Sequence, residues 1–516
     1  MIHRRKEFFI LFLVLFPFMV FSREFQNPPP KKVGNPEQLS SPCYTGSAMM
    51  DLSINNVRAR ILTAGDMWWD LSNPQYEVPK GSGNHSLFAG SLWLGGIDAS
   101  GQLHLASMSY RQSGTDFWPG PLDTISASTD GAVCDRYDKL FKIKRTEVEK
   151  FVSDFNSNSL TYIPPSILNW PGNGNPAFNH TKYLAPFHDR NGDGIYNPYD
   201  GDYPDFDLTG ERRCQAGLKG DELIWWVFND KGNFHSESGS LAMGMEIHAQ
   251  AFAFSTGDEI NNATFYNYKI INRSTYQLSD FYFGQWVDSD LGKYNDDYVG
   301  CNVELGLGYC YNGDNQDGNG DPGTYGDYLP AVGIDFLSGP LADLNDFVDN
   351  DRDCLVDEPG ERFAMSKFLY YSGSFSVTGN PGNGVETYLY MTGRWKDGLR
   401  MSYGGNAYNT GGPFCDFMFP GSSDQTYSWG TGGTCQNPVT IQPPWDESTS
   451  GNIPADRRFI QSCGPFTMKP GAVNSITLGA IWARSNQMNN RLDAVDKLFL
   501  ADKKAQALFD NCFAIL

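Results

Sequence analysis

After residue 22 no stretch of this chain is apolar enough to cross a bilayer as a helix. Several catalytic signatures are also missing. There is no GxSxG elbow, no HExxH, no Walker loop and no GxGxxG following a strand pattern. No two cysteines are spaced CxxC, which argues against zinc or thiol-redox chemistry. No repeat of 20–50 residues recurs. Positive charge is scarce, 39 Lys and Arg against 60 Asp and Glu, for a formal net charge of −21. So acidic a surface argues against nucleic acid and anionic membranes as partners and favours cations. Charged residues make up only 19%, and aromatics reach 14%. This balance belongs to an ordered chain and not to a disordered acidic one.

The only long apolar run lies at the start. Arg4, Arg5 and Lys6 precede Phe8–Phe21, while Val20 and Ser22 suit the −3 and −1 positions of a signal-peptidase site. The run is short and contains Pro17, so residues 1–22 read as a cleaved signal peptide, with an uncleaved anchor as the alternative. Cleavage leaves a net charge of −23 and no transmembrane segment. Residues 23–42 read as a polar, proline-rich leader. The remainder divides into 43–240, a β-rich region with a calcium loop, and 241–516, a β-sandwich region with long loops. All ten cysteines follow residue 22, which in an exported protein suggests disulfides. Cys301 with Cys310 and Cys415 with Cys435 are the short-loop pairings, free buried thiols the alternative.

Strand and turn signals dominate from Asn56 onward, and the fold class is mainly β, with β-sandwich modules and few helices. Leu87–Gly95 and Gln102–Tyr110 flank a Gly96–Gly101 turn as a hairpin. Thr146 with Glu149 suggests a capping box for a short helix through Phe155. Met245–Phe254 alternates, and Thr264–Ile271 and Leu278–Val287 follow at hairpin spacing. Val385–Thr392 and Ser475–Ala483 are two more expected strands. Residues 403–455, rich in Gly, Ser, Thr and Pro, are expected to form a long surface loop. One amphipathic helix closes the chain. Asn490 can cap it, and Leu492, Val495, Phe499, Ala505, Leu508 and Cys512 repeat along one face.

The chemistry concentrates in acidic loops. In HDRNGDGIYNPYDGDYPD (188–205), Asp189, Asn191 and Asp193 alternate, Gly194 follows, and Asp200 stands eleven residues after Asp189. These are positions 1, 3, 5, 6 and 12 of a twelve-residue Ca2+ loop, with Ile195 offering its carbonyl at 7 and Asn197 standing at 9. A hard cation needs six to eight oxygens, and alternate residues of a tight turn deliver them to one centre. Ala185, Pro186, Phe187 and the internal Pro198 rule out the flanking helices of an EF-hand. Asp, Asn and Gly are also ordinary turn residues, so a solvated loop is the competing reading.

A second loop, DNDRDCLVDEPGE (349–361), spaces Asp349, Asp351, Asp353 and Asp357 as ligands, with Glu358 or Glu361 to complete the shell. Cys354 stands where glycine is expected. Asp314, Asp317, Asn319 and Asp321 form a looser cluster, and Asp288, Asp290, Asp296 and Asp297 another at a strand end. Among the seven histidines, His248 beside Glu246 reads as a structural pair. Trp68, Trp69, Trp93, Trp118, Trp225 and Trp226 are candidates for stacking on sugars, or for the core.

The segments NVRAR (56–60), GDMWWD (65–70), GSLWLGG (90–96), YRQSGTDFWPGP (110–121), APFHDRNGDGIYNPYDGDYP (185–204), GQWVDSD (284–290) and CGPFTMKPG (463–471) carry a resemblance. They are similar to long exported proteins of Bacteroidetes that leave by type IX secretion. That resemblance implies a signal peptide, β-sandwich modules, calcium loops and a C-terminal sorting domain. Nothing after Ala483 resembles a sorting domain, so the chain is expected to be the front part of a longer protein. The function expected is that of a secreted or cell-surface calcium-binding protein, a non-catalytic adhesin or matrix component. It would contact extracellular glycans or surface proteins. The alternative is a polysaccharide-binding or polysaccharide-degrading protein.

Overall fold

A computed structural model describes residues 42–112, 114–206 and 220–514. The segment expected to be a signal peptide, all of the expected leader but Pro42, and Cys214 lie outside the described residues. The chain is mainly β. One sheet runs Lys367–Tyr371, Arg457–Met468, Leu278–Ser289, Ala89–Asp98, Asp66–Met67, Arg58–Leu62, Tyr76–Glu77, His85–Leu87. The other runs Asp297–Asn302, Leu307–Asn312, Pro330–Ser338, Val473–Arg484, Ala263–Asn272, Met245–Ala253, Glu222–Asn229, Trp118–Pro119. Every paired strand is antiparallel, and each sheet draws strands from both sides of residue 240.

The pleat explains how the sheets stack. In Glu222–Asn229 successive side chains point to opposite faces. Ile224, Trp226 and Phe228 enter the core shared with the opposing sheet, while Leu223, Trp225 and Val227 enter a second core behind it. The second core is roofed by the helices Gly131–Tyr137 and Arg145–Asn156 and by the terminal helix Arg491–Asp510. A strand buried on both faces reads as a continuous apolar run, and ELIWWVFN is one. Across the shared core Trp68 Nε1 donates to Tyr266 Oη at 2.8 Å, and Tyr76 Oη meets Thr264 Oγ1 at 3.1 Å. Each large apolar side chain fully buried there contributes roughly 1.5–3 kcal/mol.

Several expectations hold, and others need correction. The Ala89–Asp98 and Leu103–Ala106 strands pair as the expected hairpin. Thr264–Ile271 and Leu278–Val287 lie in opposite sheets, so the connection between them crosses the sandwich and is not a hairpin. The segment expected as a strand at Val385–Thr392 is the helix Gly384–Met391. Asn383 Oδ1 accepts the Glu386 N–H at 3.1 Å, and Thr387, Tyr390 and Met391 make its buried face. A side-chain cap and a 3.6-residue apolar period outweigh the strand preference of its aromatics. The helix Arg145–Asn156 begins before Thr146, and it is Glu147 that reaches back to the Lys144 N–H. The 403–455 segment has no strand, as expected, yet it is not wholly superficial: Cys415, Phe417, Phe419 and Trp445 are buried. On the terminal helix Asn490 does cap, but the buried face is Ala494, Val495, Leu498, Ala501, Asp502, Ala505 and Phe509. Leu492 is 60% exposed.

Disulfides join Cys43 to Cys134 and Cys354 to Cys435. Cys301, Cys310, Cys415 and Cys463 are buried thiols, so neither short-loop pairing forms. In their hairpin Cys301 stands opposite Gly308 and Cys310 opposite Val299, which separates the two sulfurs.

Candidate metal centres

The 188–205 loop is clamped at its base by a two-strand ribbon. Phe187 pairs with Pro204 and His188 with Tyr203, whose rings stack 4.6 Å apart. Inside it, Asp189 accepts the N–H groups of Gly192 (2.7 Å) and Gly194 (2.6 Å). Asn191 Oδ1 accepts Asp193 N–H, and Asp193 Oδ1 accepts Ile195 N–H at 2.7 Å. Gly192 and Gly194 take φ of +77° and +74°, the region open to glycine. Asn197 caps the short turn Pro198–Asp200, and its amide donates to Asp200 at 2.6 Å.

The carboxylate that closes this loop is Asp202, which the ligand spacing did not single out. It is fully buried and takes the N–H of Arg190 on one oxygen (2.8 Å) and of Asn197 on the other (2.9 Å). Asp200, assigned that place by counting twelve, is exposed. The available signal was a further aspartate two residues beyond the twelfth position.

The 349–361 loop repeats the scheme on different residues. Its base is held by the Leu341–Arg362 bridge and by Ala342 N–H donating to the Glu361 carbonyl at 3.0 Å. Asp349 Oδ2 accepts the N–H of the sixth residue, Cys354, at 3.0 Å. Asp351 Oδ1 accepts Asp353 N–H, and Asp353 Oδ1 accepts Leu355 N–H at 2.7 Å. Glu361 takes the N–H of Asn350 on one oxygen and of Asp357 on the other, matching Asp202 at loop positions 2 and 9. Arg352 and Cys354 have φ of +66° and +75°, beside Gly192 and Gly194. Asp357 instead ties down the chain before the loop, accepting from Asp346 and Phe347 N–H.

Among the described residues four trios bring His, Cys, Asp or Glu ligand atoms within 4.8 Å of one another. Asp349, Asp351 and Asp353 form one; Asp351, Glu358 and Glu361 form another. A third, Asp349 with Cys354 and Cys435, contains sulfurs already joined in a disulfide. The fourth, Asp288, Asp290 and Asp456, has Arg458 beside it, 3.1 Å from Asp456 and 3.6 Å from Asp288. Carboxylates of the first loop are in none of the four. Burial pushes Asp351 up to about 6, with Asp353, Glu358 and Glu361 adding repulsion. Burial likewise raises Asp349 and Glu361. Asp349 is 8% exposed, and its Oδ1 has no hydrogen-bond partner. An orphaned, nearly buried carboxylate oxygen among others of its kind suits a hard cation.

The two looser clusters come together. Asp317 accepts from Lys293 and Tyr325 N–H, and Asp296 from Gly318 N–H. Burial pushes Asp296 up to about 7. Asp321 pairs with the Lys293 ammonium at 2.6 Å. Elsewhere, Asp335 of Pro330–Ser338 meets Asp502 of the terminal helix, both fully buried. Burial drives both upward, Asp502 to about 7.

Other polar candidates are committed to structure. Burial raises Glu246, but His248 at 2.8 Å and Arg273 at 2.7 Å outweigh it and hold the carboxyl at about 2. His180, in a cleft it shares with Asp123, Asp130 and Phe234, stacks on Phe178 and lies edge-on to Tyr137. All six tryptophans considered for sugar stacking are buried. No protein-family model matches the chain, and no curated protein is similar to it.

Proposed function

We propose that this protein is a calcium-braced β-sandwich exported to the cell surface or beyond, acting as a non-catalytic adhesin or matrix component. The observation that carries the reading is the shared build of the two acidic loops. Each holds ligand-type oxygens at positions 1, 3 and 5, turns left-handed at position 6, and is closed by a buried carboxylate bridging positions 2 and 9. The donors are carboxylates, amide oxygens and carbonyls without imidazole or free thiol, a set that suits Ca2+ over transition metals. The disulfides among the described residues agree with an oxidising compartment, and no helix among those residues is long and apolar enough to cross a membrane. Export by type IX secretion rests on the resemblance of the sequence segments.

Partner contact is supported by the second loop itself, where Leu344, Phe347, Val348 and Leu355 are exposed beside the carboxylates. The polysaccharide reading is weakened by the tryptophans, since a buried indole offers no face to a sugar. An ion held only by the folded state at a hundred times its dissociation constant adds about 2.7 kcal/mol. We expect millimolar Ca2+ to raise the melting temperature visibly over EDTA, with Mg2+ a poor substitute. Asp193→Ala should remove part of the shift. Identical melts in Ca2+ and EDTA would refute the reading.

A further inference from the structure

We propose that the 349–361 loop is a two-cation centre in which Asp351 bridges a pair of calcium ions. This rests on the reading that the acidic loops bind calcium, and adds how many ions one loop takes. Ligand oxygens of a single Ca2+ lie 2.3–2.6 Å from it, so any two are within about 5 Å of each other. Asp349, Asp351 and Asp353 meet that condition, and so do Asp351, Glu358 and Glu361. The two trios share Asp351 alone; Glu358 and Glu361 do not join Asp349 and Asp353 within 4.8 Å. One ion therefore satisfies one side of Asp351 and leaves the other side unfilled.

Each trio also contains an oxygen that the protein leaves without a partner in a buried place. In the first it is Asp349 Oδ1, whose sister oxygen is pinned by the Cys354 N–H. In the second it is Glu358 Oε2. Burying a polar oxygen without a partner costs about 1–3 kcal/mol, and more when it is charged, so two such oxygens call for two cations. Charge points the same way. Seven carboxylates stand between Asp346 and Glu361, and the one arginine among them faces elsewhere. Arg352 donates to the Val303 and Met365 carbonyls and lies over the Phe417 ring. The first loop, with four carboxylates from Asp189 to Asp202, brings no trio together on the same criterion.

The test counts ions on the full chain by native mass spectrometry and equilibrium dialysis in Ca2+, with near-ultraviolet circular dichroism confirming the fold of each variant. Glu358→Gln is expected to lose one ion, Asp353→Asn to lose one, and Asp351→Asn to lose two. Combining Glu358→Gln with Asp353→Asn should match Asp351→Asn. Glu358 makes no hydrogen bond through Oε2, so its neutral isostere leaves the loop's backbone bonds in place. Loss of a single ion in Asp351→Asn, or no loss in Glu358→Gln, would overturn the bridged pair while leaving the calcium reading intact. A wild-type chain that binds no calcium would overturn both.

Discussion

Gly194 and Cys354 occupy the same place in two loops that share Asp at positions 1 and 5 but differ at position 6. The backbone nevertheless takes φ of +74° at one and +75° at the other. At Gly194 the conformation costs little, and a side chain would collide with Lys182 Nζ and Tyr183 Oη. At Cys354 the same conformation carries a side chain and about 1–2 kcal/mol of strain. The Cys354–Cys435 disulfide holds it, tying the loop to the 403–455 segment. The loop shape is therefore set by its carboxylates, each accepting a defined set of N–H groups, and not by glycine. Glycine and a disulfide are two ways of meeting the strain at position six.

That view can be broken most directly at the disulfide. Replacing Cys354 and Cys435 together by serine opens an 81-residue separation and should cost about 2–4 kcal/mol in urea melts. Calcium affinity of the second loop should fall while that of the first stays put. Equal weakening of both loops would show that the disulfide supports the whole fold and not position six.

A smaller effect is expected from Gly194→Ala, about 1–2 kcal/mol from the left-handed backbone, read as weaker calcium binding by the first loop only. Its mirror is Cys354→Gly in a Cys435→Ser chain, which should recover part of what serine at both positions loses. If glycine at 354 is no better than serine, the two turns are not equivalent.

The smallest effect concerns the buried carboxyl pair of Asp335 and Asp502. Asp335 and Asp502 are raised in the folded state, so they favour folding below the ordinary carboxylate range, near pH 4. That contribution is lost as pH rises through about 7, where the pair must ionise. Asp502→Asn should flatten this loss and, at pH 8, be more stable than wild type by on the order of 1 kcal/mol. Urea melts at pH 5 and pH 8, in Ca2+ and in EDTA, check it. A gain that appears only in EDTA and vanishes in calcium would make the pair a metal ligand instead.

Much of the candidate site was legible in the sequence because short-range chemistry governs it. Asp189, Asn191 and Asp193, and Asp349, Asp351 and Asp353, lie in tight turns where side chains bind backbone two to five residues on. Asp202 and Glu361 were harder, because each closes its loop onto an N–H twelve or eleven residues back. Strands buried on one or both faces announced themselves by alternation or by unbroken apolar runs. Gly384–Met391 did not, since β-branched and aromatic residues pull the local pattern toward strand while Asn383 caps a helix.

The sequence alone determined the mainly β class, the helix cap at Asn490, and the presence and spacing of two acidic loops. Those features depend on residues near one another in the chain. Tertiary structure alone decided which thiols met, which side of the terminal helix was buried, and that strands 264–271 and 278–287 parted to opposite sheets. It also placed Asp335 against Asp502 across 167 residues, and Glu358 and Glu361 within 4.8 Å of Asp351. Such contacts are fixed by how apolar faces pack and where charge can be relieved, and local spacing carries no record of either.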